Sequence, residues 1–185
     1  MSHTAIYVPE GLDGYEYCHP INTDDFENIH IEISGSRRHT MWRPIAMRLI
    51  RDDQGRKLAS SDSPWLGNHA LIFRSNVVCA LGAFLQRYGE LLPLSCKDAN
   101  LSIYNPTCVV DALDETASSA TRFSSGRVML IKRYVFRSDV ISGIDIFKIP
   151  DLRVSPTFVS QRFVDLWNSH GLKGLEFKLV WPLSK

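Results

Sequence analysis

Cysteine is sparse in this chain and scattered. Cys18, Cys79, Cys96 and Cys108 are the four among 185 residues, and none lies in a C-x-x-C pair, so neither a structural zinc site nor a redox motif is indicated. Free, buried thiols are the expected state. Long apolar runs are missing as well. No stretch approaches the roughly 18 residues of a membrane span, and the opening MSHTAIYVPE has neither the basic region nor the apolar block of a secretory signal. The expected compartment is the cytoplasm, without membrane contact. Phosphate-binding glycine motifs and a G-x-S-x-G elbow are absent too. His3, His19, His30, His39, His69 and His170 show no pair at helical spacing. Nucleotide cradles, serine nucleophiles and zinc-protease centres are therefore not indicated, and no catalytic residue, metal or cofactor is expected.

What is present is apolar content sufficient for a core and an uneven charge distribution. At 44% hydrophobic residues the chain can bury a substantial interior, which fits one domain of ordinary size. Net charge is only +1, yet residues 1–36 hold seven acids (Glu10, Asp13, Glu16, Asp24, Asp25, Glu27, Glu32) and no lysine or arginine. Residues 37–57 hold seven bases (Arg37, Arg38, Arg43, Arg48, Arg51, Arg56, Lys57) against Asp52 and Asp53. Blocks of opposite sign either neutralise each other on the folded surface or offer separate patches to separate partners.

Hydrophobic periodicity divides the chain into short elements. Residues 5–8 form an apolar opening closed by Pro9 and Gly11, which suits an edge strand. Ile29, Ile31 and Ile33 alternate with polar residues and predict a strand over 28–33. Residues 45–59 read as a hairpin turning at Asp53-Gln54-Gly55, with one helical turn over 46–51 as the alternative. Ser75 is placed to cap a helix carrying Val77, Val78, Leu81, Phe84 and Leu85. Gly89 closes it before a strand with Leu91, Leu92 and Leu94. A strand over 101–104 precedes Thr107, which can cap a short helix through Val109, Val110 and Leu113. A hairpin follows, turning at Ser124-Ser125-Gly126, and its second arm, 128–136, is apolar enough to serve as the sheet centre. The most regular stretch is 144–181: a short strand, a helix capped by Ser160 with Phe163, Val164, Leu166 and Trp167 on one face, a stop at Gly171, and a strictly alternating strand from Leu175 to Trp181. The fold class expected is α+β, a mixed or antiparallel sheet with about two main helices packed on it, arranged as two similar helix-and-strand modules.

The segments SSDSPWLGNHALIF, RYGELLPLSC, NPTCVVDALDE and GIDIFKIPDLRVSPTFVSQRFVDLWNSHGLKGLEFKLVW together resemble a family of bacterial immunity proteins from polymorphic toxin systems, the immunity family numbered eleven. The resemblance covers about residues 40–181. Its specific pieces are Asp62, Pro64 and Trp65, the step Gly89-Glu90-Leu91-Leu92-Pro93, and the ending Gly171-Leu172-x-Gly174-Leu175-x-Phe177. It implies a non-enzymatic α+β protein that binds a cognate toxin, a nuclease among the candidates, and blocks it in interbacterial competition. Residues 1–36 fall outside the pattern and read as a variable acidic segment of the same domain as the immunity-like region 37–185. Partner contact is expected there, through Glu10, Asp13, Glu16, Asp24, Asp25 and Glu27, with Tyr15 or Tyr17 as an aromatic anchor. Two other classes stay open. One is an enzyme with a site of scattered polar residues such as Arg43, Asp62 and His69. The other is a nucleic-acid-binding module using Arg37 to Arg56 with Trp42, although the near-neutral balance speaks against direct nucleic-acid contact.

Overall fold

A computed structural model describes residues 5–125, 128–150, 152 and 154–182. In chain order the elements are β1 (Ile6–Gly11), β2 (Tyr17–Pro20), α1 (Asp25–Glu32), β3 (Ala46–Ile50), β4 (Asp52–Asp53), β5 (Arg56–Lys57), β6 (Ile72–Arg74), α2 (Ser75–Leu85), β7 (Gly89–Cys96), β8 (Leu101–Pro106), β9 (Ser119–Arg122), β10 (Val128–Arg133), α3 (Ser138–Ile141), β11 (Ile146–Phe147), β12 (Phe158–Ser160), α4 (Gln161–Ser169) and β13 (Leu175–Trp181). The class is α+β, as expected. A five-stranded mixed sheet runs β2-β3-β7-β8-β6 and a four-stranded sheet runs β11-β12-β1-β13, with two small hairpins beside them.

The two helix-and-strand modules share one pairing plan. β6 and β7 are each antiparallel to β8, so they run parallel to one another with β8 between them and α2 as the crossover. β12 and β13 are likewise each antiparallel to β1, with α4 as the crossover. In each case a helix joins two parallel strands separated by a third. The inserted strand differs in origin: β8 follows β7 directly, whereas β1 arrives from the start of the chain. Both helices bury their apolar faces in one shared core, where Val77, Leu81 and Leu85 of α2 meet Phe163, Val164 and Trp167 of α4 together with Phe73, Tyr104, Val159 and Leu175. Ser160 caps α4 by accepting from Phe163 N, and Gly171 and Gly174 both carry positive φ. A side chain at Gly174 would also meet the Ser61 side chain.

The opposite face of the four-stranded sheet is covered by a second core of Ile6, Val8, Phe147, Phe158 and Val180 with Ile131, Phe136 and Ile141. A third core, including Ile29, Ile33, Met47, Ile72, Leu92 and Ile103, seats α1 on the five-stranded sheet.

Several expectations are corrected. Residues 28–33 belong to the helix α1 and its C-cap, not to a strand: Ile29 and Ile33, four apart, are buried while Ile31 is 55% exposed, the signature of one helical face. Asp25 and Glu27 in the first turn suit the positive end of that helix. β1 is interior rather than an edge. Pro9 is tolerated because β12 pairs only with Ile6 and Tyr7, leaving that side of β1 open from Val8 onward. Thr107 caps no helix. Residues 107–113 form no helix: Val109 is bridged to Lys148 and Leu113 to Phe136, with a tight turn between them where Ala112 N donates to the Val110 carbonyl. Among the described residues β10 pairs only with β9, through an irregular register, and Met129 and Leu130 are more than half exposed. It is therefore not the sheet centre, and a run of apolar residues alone cannot distinguish a buried strand from a hairpin arm. Ser75 is the first residue of α2, and the cap position is Arg74, whose side chain is committed elsewhere. Of the hairpin expected over 45–59, the strands that pair are Asp52–Asp53 and Arg56–Lys57, turning at Gln54 and Gly55, both at positive φ, as a two-residue connection requires, while Ala46–Ile50 pairs with β2 and β7 instead. In the second hairpin, Gly126 lies outside the described residues. All four cysteines are free, but only Cys18 is buried and Cys79 is exposed.

Candidate partner-binding surface

The acidic segment does not fold into one patch. Glu16, with no side-chain exposure, sits at the mouth of β2. It accepts from Arg51 Nε at 3.0 Å, from Ser61 N at 3.0 Å and from Arg74 Nη2. Burial raises its pKa, but the hydrogen bonds from Arg74, Ser61 and Arg51 outweigh that and hold the carboxyl below its ordinary value. Glu16 is thus an internal tie between β2, β3 and β6, not a surface residue. Tyr15 and Tyr17 flank it, half-buried and bridged to Ala59 and Trp65.

The remaining acids form two groups at opposite ends of β2, whose four residues span on the order of 10 Å. At one end, Asp13 pairs with Arg56 at 3.0 Å. Glu10 lies directly across from Glu176 in the β1/β13 ladder, with Lys178 3.9 Å away. At the other end, Asp24, Asp25 and Glu27 belong to α1 and its cap. Asp25 receives Asn28 Nδ2 at 3.0 Å and Glu27 lies 3.7 Å from His30. Beside α1, a groove of about 260 Å³ runs between Asp25 and Glu32 on the helix and Arg38, Met41, Trp42 and Arg43 on the following loop. Met41 is 78% exposed there.

The basic block is partly consumed by the acids. Arg38 pairs with Glu32, Arg51 with Glu16 and Arg56 with Asp13, which weakens any continuous phosphate-binding stripe. The three members of the scattered polar trio have different surroundings. Asp62 accepts from Asn76 Nδ2 and from Lys173 N, each at 2.7 Å, and Arg43 lines the α1 groove. Burial, then His30 and Lys148, push the His69 pKa down to about 3, so its ring is neutral near pH 7. Its buried Nε2 has no partner among the described residues, and its ring meets His30 edge-on at 4.4 Å. Lys148, buried in the same region and pushed down to about 8 by that burial, donates to the carbonyls of Ile33 and His69. This fastens the C-terminal end of α1 and the segment before β6 to the residue that follows β11, a tie between distant segments that no local sequence pattern announces. Among the described residues no group of three or more His, Cys, Asp or Glu could hold a metal ion, and no helix is long and apolar enough to cross a membrane.

Residues 103–180 match the immunity protein family (Imm11). No curated protein matches the chain. The Imm11 match agrees with the family resemblance read from the sequence over a shorter span. It begins within β8 and ends within β13, and so takes in α4 and the strands it joins. Two of the specific pieces of the resemblance, the Asp62-Pro64-Trp65 turn and the 89–93 step, lie before it. So does the whole acidic segment, including α1.

Proposed function

We propose that this chain is an immunity protein of a polymorphic toxin system, which binds a cognate bacterial toxin in the cytoplasm and neutralises it by protein–protein association rather than by catalysis. The observation that carries the proposal is the Imm11 match over residues 103–180. The different surroundings of Arg43 in the α1 groove, Asp62 beside Asn76 and Lys173, and His69 beside His30 and Lys148 support it against an enzymatic site built from those three. Asp24, Asp25 and Glu27 on α1 and its cap form one acidic group that a basic toxin such as a nuclease would meet, with Asp13 and Glu10 as a second group beyond β2. Opposite charge at such a rim speeds encounter, because long-range attraction acts before any contact forms.

Coexpression with the product of the adjacent gene tests the reading: the two should copurify in equal amounts, and the chain should protect the host cell. Failure of both would refute it. Within such a complex, Asp24→Lys with Asp25→Lys should slow association at low salt and flatten its salt dependence while leaving thermal stability unchanged. Unchanged association kinetics would remove α1 from the contact surface.

A further inference from the structure

The four-stranded sheet ends in a strand with a vacant side. β13, seven residues long, is its outermost member, and among the described residues it pairs with β1 alone. The other outer strands of the two main sheets, β11, β6 and β2, are only two to four residues long, and short edges offer little to pair with. In an antiparallel ladder alternate residues turn their backbone N–H and C=O groups toward the neighbouring strand, and the residues between turn them away. Two observations fix the alternation here. Leu12 N donates to the Gly174 carbonyl just past the end of the β1/β13 ladder, and Pro9, opposite Phe177, has no N–H to give. Gly174, Glu176 and Lys178 are therefore the residues bonded toward β1. Leu175, Phe177 and Leu179 direct their backbone groups outward, to the vacant edge.

The side chains of this edge are complementary to themselves. Leu175 and Phe177 join the core under α4, so Glu176 and Lys178, both exposed, lie on the other face of the sheet. Two identical strands pairing antiparallel are related by a two-fold axis. The outward backbone groups are met with the axis at any residue from 175 to 179, so the side chains decide. At 176, glutamate faces glutamate, and at 178, lysine faces lysine. At 175 or 179 neither charge meets an opposite one and the overlap is shorter. With the axis at Phe177, Glu176 of each copy faces Lys178 of the other, in the pairs whose side chains approach most closely. Glu176 lacks such a partner within one chain: it stands across from Glu10, toward which Lys178 reaches at 3.9 Å, and it makes no ion pair among the described residues. On the α4 face, Leu179, 38% exposed, would lie beside Leu175 of the second copy. We propose that two copies of the chain join edge to edge through β13, antiparallel about Phe177, into one continuous sheet of twice four strands. This rests on the edge itself and not on the immunity reading.

Sedimentation velocity on the full chain alone, from micromolar to near-millimolar concentration, reads the association, and the mass should rise from one chain toward two. Glu176→Lys places lysine opposite lysine at both contacts and should weaken the dimer about 10-fold or more. It also removes the repulsion from Glu10, so the variant is expected to fold as well as the wild type. Glu176→Lys combined with Lys178→Glu exchanges the two charges and recreates both contacts, and it should bring dimerisation back toward the wild-type level. A chain that stays monomeric throughout overturns the proposal and leaves the edge to a strand of another protein or to solvent. A dimer as tight in Glu176→Lys as in the wild type, or one that the exchanged pair does not restore, overturns pairing about Phe177. Loss in the single variant with recovery in the double one supports it, since a merely structural effect of Glu176→Lys would not be reversed by a second charge change two residues away.

Discussion

Replacing Glu16 with glutamine keeps the size of the side chain and removes its charge, and the structure sets the expected result. The carboxylate is fully buried while Arg74 is 19% and Arg51 50% exposed. Removing one partner of a buried ion pair costs about 3–5 kcal/mol, because the other charge is left in a poorly solvated place. Here the half-exposed Arg51 recovers hydration, so the lower end, about 3 kcal/mol, is expected, most of it from Arg74. For a chain of this size that is roughly 6–12 °C in melting temperature. Chemical denaturation of the wild type, Glu16→Gln, Arg74→Met and the double variant would give the coupling directly, and the two single changes should be strongly non-additive. The pH dependence has a definite sign. Because the folded carboxyl is held below its ordinary value, its contribution is present above the unfolded pKa and is lost as pH falls through the folded one. A destabilisation under about 1 kcal/mol, or a fully stable variant that has lost toxin binding, would refute the reading of Glu16 as an internal tie and return it to the surface.

Three further outcomes follow from the cores and the buried polar groups. Trp167→Ala should cost about 3–5 kcal/mol by equilibrium unfolding, and Trp167→Phe clearly less, since the buried indole N–H has no partner to lose. Ser160→Ala should cost about 1–2 kcal/mol, because that hydroxyl both caps α4 and donates to Asp145 at 2.6 Å. A melting point unchanged from wild type would place the cap elsewhere. His69 titrates near 6.5 when unfolded and near 3 when folded, so the unfolded chain takes up the proton first. Stability should therefore decline as pH falls from 6.5 toward 3, by up to on the order of 4 kcal/mol, and His69→Gln should flatten that slope in acid melts.

The local patterns that were legible share one property: their signal lies within a single turn or strand. Ser160, Phe163, Val164, Trp167 and Gly171 specify α4 and its ends by spacing alone, and the alternation from Leu175 to Trp181 specifies β13. The likeness of the two modules was legible for the same reason, since each is a contiguous strand, helix and strand. Isoleucines at 29, 31 and 33 fit a strand face equally well, and only the third core, which accepts Ile29 and Ile33 and leaves Ile31 in water, decides for a helix. Long-range pairing decided the rest. That β1 enters between β12 and β13 about 150 residues later, and that β10 stays at the margin, depends on which surfaces remain open once the helices have packed. The acidic segment shows the limit most directly: its charge was plain in the sequence, but whether each carboxylate faces a partner or an arginine of the same chain is set by tertiary distance. Over that distance Glu16 was drawn inside by Arg51 and Arg74 while Asp24 was left in solvent.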